Sequence, residues 1–340
     1  MSNLMLGVDV GASNIKIVEL KEKKNVYTVK NILIAKTPSR TVVEGAILDH
    51  GAVSKAIADA LATAKGISKE AALALHGKDV VVKRVKLPWN GKGDFKEQFL
   101  WSAEQYIGIS SEKASYDAQM IKHDIETLLA DTVLAAAPKD KVADMLTTAT
   151  QAGLKPVVVD LESLALVNLV TAFKGKYEHV NVVIDMGHDA VRMIFFNDGH
   201  VDTVKTIYKG GKFLAEEVAQ DLSIDIEKAE EMIRDPENLQ NNADIQAAAM
   251  AYGSSLGSEI ETIVDIYMQE RNKEPVDFFV CGATAYISEV VGNVETSMGL
   301  SMAHIDPFRY IDIPANLRPL VDACGAGTFA LACGLAMRKA

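Results

Sequence analysis

Asp9-Val10-Gly11-Ala12-Ser13-Asn14-Ile15-Lys16 closes one apolar run, Leu4-Met5-Leu6-Gly7-Val8, and opens another, Ile15 to Leu20. Two β-patterned runs joined by Gly-Ala-Ser-Asn read as a strand, a tight turn and a strand. Gly11 is expected to bend the backbone with positive φ and to let it approach a ligand closely. The turn's N–H groups and the Ser13 hydroxyl then form an anion nest able to hold a phosphate. A carboxylate beside a phosphate makes sense with a metal ion between them, usually Mg2+ held through water. The competing reading of one Asp-x-Gly is an ordinary polar hairpin turn, because short motifs recur by chance.

A second copy changes that balance. Val180-Asn181-Val182-Val183-Ile184-Asp185-Met186-Gly187 is again an apolar strand ending in Asp-x-Gly. A strand from Val191 to Phe196 follows, then the turn Asn197-Asp198-Gly199 and a third strand, Val201 to Tyr208. The first copy has the same sequel: Ile15 to Leu20, a polar turn, then Val26 to Ala35. From Asp9 to Asp185 is 176 positions. A duplicated supersecondary unit points to two phosphate loops facing each other across a cleft.

The chain has 340 residues, which suggests about two domains. An apolar fraction of 49% and a mean hydropathy of +0.09 suit large buried cores. The net charge is −11 and no Lys/Arg tract dominates, which argues against nucleic acid as a partner. Three cysteines, Cys281, Cys324 and Cys333, lie far apart, with neither metal spacing nor a disulfide framework. No basic leader opens the chain, and no run reaches the roughly 18 apolar residues of a membrane helix. The apolar stretch Ala323 to Met337 is expected to be one buried helix.

The paired loops, with Phe278-Phe279-Val280-Cys281-Gly282-Ala283-Thr284-Ala285 downstream, resemble the actin-like ATPase superfamily. Over nearly its whole length the chain is similar to the PilM family of type IV pilus assembly within it, a relative of FtsA. Tyr106-Ile107-Gly108, Tyr116-Asp117-Ala118-Gln119, Ala152-Gly153-Leu154-Lys155-Pro156, Ala229-Glu230 and the terminal Gly325-Ala326-Gly327-Thr328-Phe329-Ala330-Leu331-Ala332-Cys333-Gly334-Leu335-Ala336 add to the likeness.

The resemblance implies an α/β actin-like fold of two duplicated lobes with a small inserted α+β subdomain. Residues 1–88 and 319–340 would form the first lobe, 89–161 the insertion and 162–318 the second lobe, with a helical nucleotide-contacting part near 223–272. ATP and Mg2+ are the implied ligands, with Asp9 and Asp185 organising the hydrated metal. Gly11, Ala12, Ser13, Asn14, Gly187 and His188 would line the phosphates, and Gly210 and Gly211, which lead into a neighbouring helix, would also contact the nucleotide. Glu230 would turn toward the ribose, and Gly282, Ala283 and Thr284 would form the adenosine loop. Glu230 has a second reading, as part of a solvated charged face with Glu227, Lys228 and Glu231. Lys16 reaches a phosphate if it points inward and is a solvent lysine if it points outward.

The implied role is a cytoplasmic scaffold, at most a weak ATPase. It would be held at the inner membrane, without inserting, by the N-terminal tail of a PilN-like protein. The tail would dock in a groove between the first lobe and the insertion. Other pilus assembly proteins are further partners, and self-association stays open. An FtsA-like cytoskeletal protein and a small-molecule kinase are the alternatives. A kinase needs larger insertions for its acceptor than this chain shows.

Several local expectations remain. His76, before Gly77, reads as a turn residue rather than a catalytic one. Asp160 and Glu162 either cap a helix running to Phe173 or orient a water near a γ-phosphate. Asp225 is placed to cap the next helix after Leu222, and Asn238 to Ala243 reads as a polar loop before a long helix, Tyr252 to Glu270. Asp189 stands where relatives carry Ser or Thr and would bring a carboxylate toward a phosphate. Ala283 stands where Gly is usual, and Ala takes positive φ poorly. Ile233 replaces a common Lys. Nucleotide binding with slow hydrolysis follows from these departures.

Overall fold

The computed structural model describes residues 2–175 and 178–339. Met1 and Ala340, the outer limits of the first-lobe segments, lie outside them. A meander opens the chain: β1 (Ser2–Val10), β2 (Asn14–Lys23) and β3 (Val26–Lys36) pair antiparallel. Lys24 and Asn25 turn the second hairpin with φ of 53° and 63°, the backbone that suits a two-residue turn between right-twisted strands. A ribbon of β4 (Val42–Val43) and β5 (Ala46–Ile47) precedes α1 (His50–Ala62), whose N-cap Asp49 accepts the Ala52 N–H at 2.9 Å.

After β6 (Glu70–Leu75) come β7 (Val81–Pro88), α2 (Phe95–Ile107), β8 (Ala114–Asp124) and β9 (Leu129–Pro138). Asp94 caps α2 by accepting the Glu97 N–H at 2.8 Å, and Gly108 ends it at φ 78°. Then follow α3 (Lys139–Gln151), β10 (Lys155–Leu161) and α4 (Glu162–Lys174). The second half contains β11 (Val180–Met186), β12 (Val191–Asn197), β13 (His200–Ile207), α5 (Gly211–Leu222), α6 (Ile226–Arg234), α7 (Pro236–Asn241) and α8 (Ala243–Arg271). It ends with β14 (Pro275–Cys281), α9 (Ser288–Met298), β15 (Ala303–His304), β16 (Ile311–Asp312), α10 (Arg318–Cys324) and α11 (Ala330–Ala336).

One sheet runs β10-β6-β1-β2-β3-β16 and the other β15-β14-β11-β12-β13-β7-β9-β8. The second therefore carries the strands of residues 81–138 on its flank. The seam is narrow, a single ladder pair, Thr203 opposite Lys83. In contrast, β10 joins the first sheet beside β6. Alternation along β11 and β12 feeds two cores at once. Val183, Ile194 and Phe196 face the first, with Ile15, Ile17 and the buried helix α11. Val182, Ile184, Met193 and Phe195 face the second, with Leu256 and Ile260 of α8. Strands covered on both faces by helices read as near-continuous apolar runs for this reason.

Three local expectations change. The polar stretch Asn238 to Ala243 is α7 and the start of α8, because Asn242 accepts the Asp244 and Ile245 N–H groups as an N-cap. Asp225 occupies the N-cap of α6 without a side-chain bond. The apolar stretch Ala323 to Met337 is not one helix: Gly325, at φ 79°, breaks it, and the two parts meet at 101°. The Tyr286 ring fills the space at Gly325, where a Cβ would lie 2.5 Å from it. No single helix among the described residues is long and apolar enough to cross a membrane.

Candidate nucleotide site

The two Asp-Gly hairpins repeat in three dimensions. Asp9 lies opposite Lys16 in the β1–β2 ladder, and Asp185 lies opposite Arg192 in β11–β12. The Gly11 N–H donates to the Asn14 carbonyl at 3.2 Å, and the Gly187 N–H to the Ala190 carbonyl at 3.0 Å. A Cβ on either glycine would sit 2.9 Å from that acceptor, so lack of room excludes a side chain at both. Neither glycine takes a positive φ, contrary to the expectation for Gly11. Both hairpins open onto one cavity of about 400 Å³ between the lobes.

Asp9, Gly11, Ala12, Ser13, Asn14 and Lys16 line it from the first lobe. Asp185, Gly187, His188, Gly211, Glu230, Gly282, Ala283 and Thr284 line it from the second. Gly210 does not line it. It packs behind the second loop, where a Cβ would lie 2.3 Å from the His188 carbonyl oxygen. Only Gly282 needs positive φ in the third loop, at 89°, and a Cβ there would strike the Met186 carbonyl. Ala283 begins a 3-10 turn without positive φ, so alanine is accommodated where a second glycine was expected.

Lys16 points inward and pairs with Asp9 at 2.9 Å, which settles its orientation. Burial alone would lower its pKa, but the charge and hydrogen bond of Asp9 raise it above the usual lysine value. Across the cavity Arg192 meets Glu162 at 3.3 Å and Asp185 at 3.9 Å. Burial pushes the Glu162 carboxyl well above its ordinary pKa; Arg192 opposes this, and the carboxylates of Asp185 and Asp9 add to it. His76 lies 3.7 Å from Glu162 and lines the same cavity, so it is more than the turn residue expected. Burial first, then Arg192, Lys141 and Lys16, hold its pKa well below the ordinary value and keep the ring neutral.

The helix expected to begin at Asp160 begins at Glu162, with Leu161 at the N-cap and no side-chain cap bond. Asp160 is the penultimate residue of β10 and faces away from this cavity. It lines a second cavity, of about 420 Å³, and meets Arg338 at 3.1 Å. Burial raises the Asp160 pKa despite Arg338. This second cavity lies between α4, where Leu164, Val167 and Asn168 contribute, and β8 and β9. Ser115 to Gln119 line it consecutively, so the edge of β8 faces it and not one side-chain row. β8 is the outermost strand of its sheet.

Asp189 does not stand as a bare charge facing a phosphate. Its Oδ1 meets His188 Nδ1 at 2.8 Å, and its Oδ2 accepts the Glu44 N–H at 3.0 Å. His188 Nε2 meets Glu230 at 2.8 Å. Burial opposes a charged imidazole, but hydrogen bonds to Asp189 and Glu230 raise the His188 pKa to about 8. Arg234 donates to Glu230 at 3.3 Å and to the Ser13 hydroxyl at 2.9 Å. Glu230 is thus held in the cleft and not on a solvated face. Among the described residues no cluster of three or more His, Cys, Asp or Glu side chains could hold a metal. Mg2+ keeps most of its waters and needs only one or two carboxylates. Asp9 and Asp185, hard oxygen donors on one cavity, both within electrostatic reach of Lys16, fit that demand.

Sequence reading missed Arg192, Arg234 and the position of His76. Arg192 had a signal: it lies 176 positions beyond Lys16, the same offset that relates the aspartates.

Two α/β lobes, each presenting an Asp-Gly hairpin to a shared cleft, define an actin-like ATPase fold. The PilM-PilN type IV pilus biogenesis complex has a chain of this fold, with a TM-score of 0.85, 22% identity and 98% coverage of both chains. The ethanolamine utilization protein EutJ from Carboxydothermus hydrogenoformans has a TM-score of 0.62 at 14% identity, over 99% of this chain and 90% of that one. MreB 5 of Spiroplasma citri bound to AMPPNP has a TM-score of 0.50 at 11% identity, over 98% and 95%. Residues 7–340 match the family described as type IV pilus assembly protein PilM, and the chain belongs to that family.

Proposed function

We propose that the chain is an ATP-binding scaffold of type IV pilus assembly, holding Mg·ATP between its lobes and a partner's peptide in its second cavity. The duplicated Asp-Gly hairpins, facing each other across one cavity, carry the nucleotide reading. MreB 5 bound to AMPPNP supports it by likeness of fold. Mg2+, held through water by Asp9 and Asp185, would neutralise phosphate charge when bound. Ser13, Asn14 and the loop N–H groups would bind phosphate, and Lys16 would share its charge between Asp9 and a phosphate oxygen. Of the two candidates for orienting a water, Asp160 faces the other cavity, and Glu162 is occupied by Arg192 and has a raised pKa. Turnover should therefore fall well below the roughly 10 per second of a median enzyme.

For the partner, the family and the PilM-PilN complex support a PilN-like protein's N-terminal tail in the groove between α4 and β8. The exposed edge of β8 offers backbone pairing, and Leu164 and Val167 offer apolar contacts to alternate side chains. The protein would then sit in the cytoplasm, drawn to the inner membrane by that tail. One calorimetric series tests both halves, titrating Mg·ATP and the tail peptide into wild type, Asp9→Ala, Asp185→Ala and Asn168→Trp. The aspartate variants should each weaken Mg·ATP about tenfold or more, the loss of a charge-assisted contact. Asn168→Trp, which fills the exposed mouth of the groove, should abolish peptide binding and leave Mg·ATP intact. Undiminished ATP affinity in both aspartate variants overturns the nucleotide site, and peptide binding by Asn168→Trp overturns the groove.

A further inference from the structure

The chain of contacts Glu44–Asp189–His188–Glu230–Arg234–Ser13 crosses the cleft twice. Glu44 and Ser13 belong to the first lobe; the four side chains between them belong to the second. Both carboxylates can only accept hydrogen bonds, so a ring nitrogen facing each must carry a proton. His188 therefore sits here as an imidazolium between two carboxylates, and Arg234 balances the remaining negative charge. The group is neutral as a whole and each member is held by the next.

Its two ends are built, not incidental. Glu44 and Gly45 form the tight turn between β4 and β5, with φ of 48° and 78°. That backbone is disfavoured for a non-glycine residue such as Glu44. Gly45 presses the turn onto His76, where a Cβ would lie 2.3 Å from the carbonyl oxygen. This aims the Glu44 N–H at Asp189. At the other end Arg234 holds the Ser13 hydroxyl, a group of the first phosphate loop.

We propose that Asp189, His188, Glu230 and Arg234 form a clasp that ties the second lobe to the first and sets how fast a nucleotide leaves the cleft. The clasp rests on the nucleotide reading for its function but not for its existence, because each of its contacts joins two protein groups. It also accounts for the His-Asp pair in the second loop: the hydroxyl expected at position 189 would be too short and uncharged to hold both an imidazolium and the opposite lobe. A nucleotide entering the cleft would find Ser13 already engaged, and Arg234 would stay beside it as a further cation.

Hydrogen exchange of the nucleotide-free protein, read by mass spectrometry over residues 41–48, tests the clasp directly. The variants are Asp189→Ala, which removes the direct acceptor, and Arg234→Ala, which lies at the far end and does not touch Glu44. Both should speed exchange at the Glu44 amide, Asp189→Ala by about tenfold and Arg234→Ala by a smaller factor of about threefold. A Lys55→Ala variant, on the exposed face of α1, controls for general loosening. An unchanged rate in Arg234→Ala overturns the clasp, since the two crossings would then be independent. Release of a fluorescent ATP analogue should quicken severalfold in both variants. If the analogue fails to bind wild type, the nucleotide reading falls while the exchange result still decides the clasp. If it binds and leaves all three proteins at one rate, the clasp does not gate the site.

Discussion

The two Asp-Gly hairpins agree wherever the backbone turns and differ wherever a side chain meets the cleft. Asp, Gly and the cation opposite the Asp recur at one fixed offset, with the same glycine N–H bond and the same 2.9 Å limit on a Cβ. Between them, Ala12-Ser13 in one loop becomes His188-Asp189 in the other. The first loop offers a hydroxyl and receives Arg234; the second carries two titratable groups and reaches out to Glu44. Geometry imposed by the turn is retained because few residues satisfy it. Side chains at positions 12, 13 and their counterparts line the cavity and take no part in the turn itself, so each copy could acquire its own chemistry. Under the proposed function one loop would be a binding surface, and the other a binding surface that also fastens.

Removing the two matched cations should break the symmetry most. Arg192 neutralises Glu162 and Asp185 together, whereas Lys16 directly pairs with Asp9 alone. Arg192→Ala should destabilise by about 3 kcal/mol, the cost of a buried charge left without its partner. Lys16→Ala should cost about half as much by the same reasoning. Urea melts with unchanged slope would measure both; equal losses would mean that the second carboxylate at Arg192 counts for nothing.

The glycines should respond alike. Gly11→Ala and Gly187→Ala each force a methyl to 2.9 Å from a carbonyl oxygen. Each should cost about 2 kcal/mol, the usual scale of an overpacked contact. A difference beyond about 1 kcal/mol between them would show that the two turns are not equivalent in rigidity.

The smallest effect separates the loops by pH. The folded pKa of His188, about 8, lies above its ordinary 6.5, so the bond it makes is at full strength below about pH 6.5. That stabilisation fades as pH rises through 8. The shift corresponds to at most about 2 kcal/mol, and partial exposure reduces it. Asp189, Glu230, Arg234, Lys212 and Lys36 are the charged groups around the ring or its partners. His188→Ala, which restores the residue type of the first loop, should flatten the stability profile between pH 6.5 and 9. A wild-type profile already flat there would assign the ring a neutral state.

Much of this was readable because the information was local. Alternation and the Gly-Ala-Ser-Asn turn defined the first hairpin, and the repeat defined the second. Alternation leaves the side of Lys16 open; the register decides it, setting Lys16 opposite Asp9 on one face of the sheet. The run Asn238 to Ala243 reads as a loop because Asn242 acts as an N-cap, a role that looks like loop composition. Ala283 is accommodated where Gly is usual because Gly282 alone of the two takes positive φ. His76, Glu44 and Arg234 were invisible as site residues: their partners lie 86, 145 and 221 positions away in the chain, at Glu162, Asp189 and Ser13.

Asp160-Leu161-Glu162 forms the partition between the two cavities. Asp160 looks into the groove and Glu162 into the cleft, with one buried leucine between them. The same helix, α4, carries Glu162 at its first turn and Leu164, Val167 and Asn168 along the groove. A shared wall one residue thick cannot be adjusted for one room alone. A displacement of Glu162 that accompanied occupation of the cleft would be taken up in α4 and β10 or passed to Asp160. Whatever factor one occupant exerts on the other's affinity must be returned in equal measure.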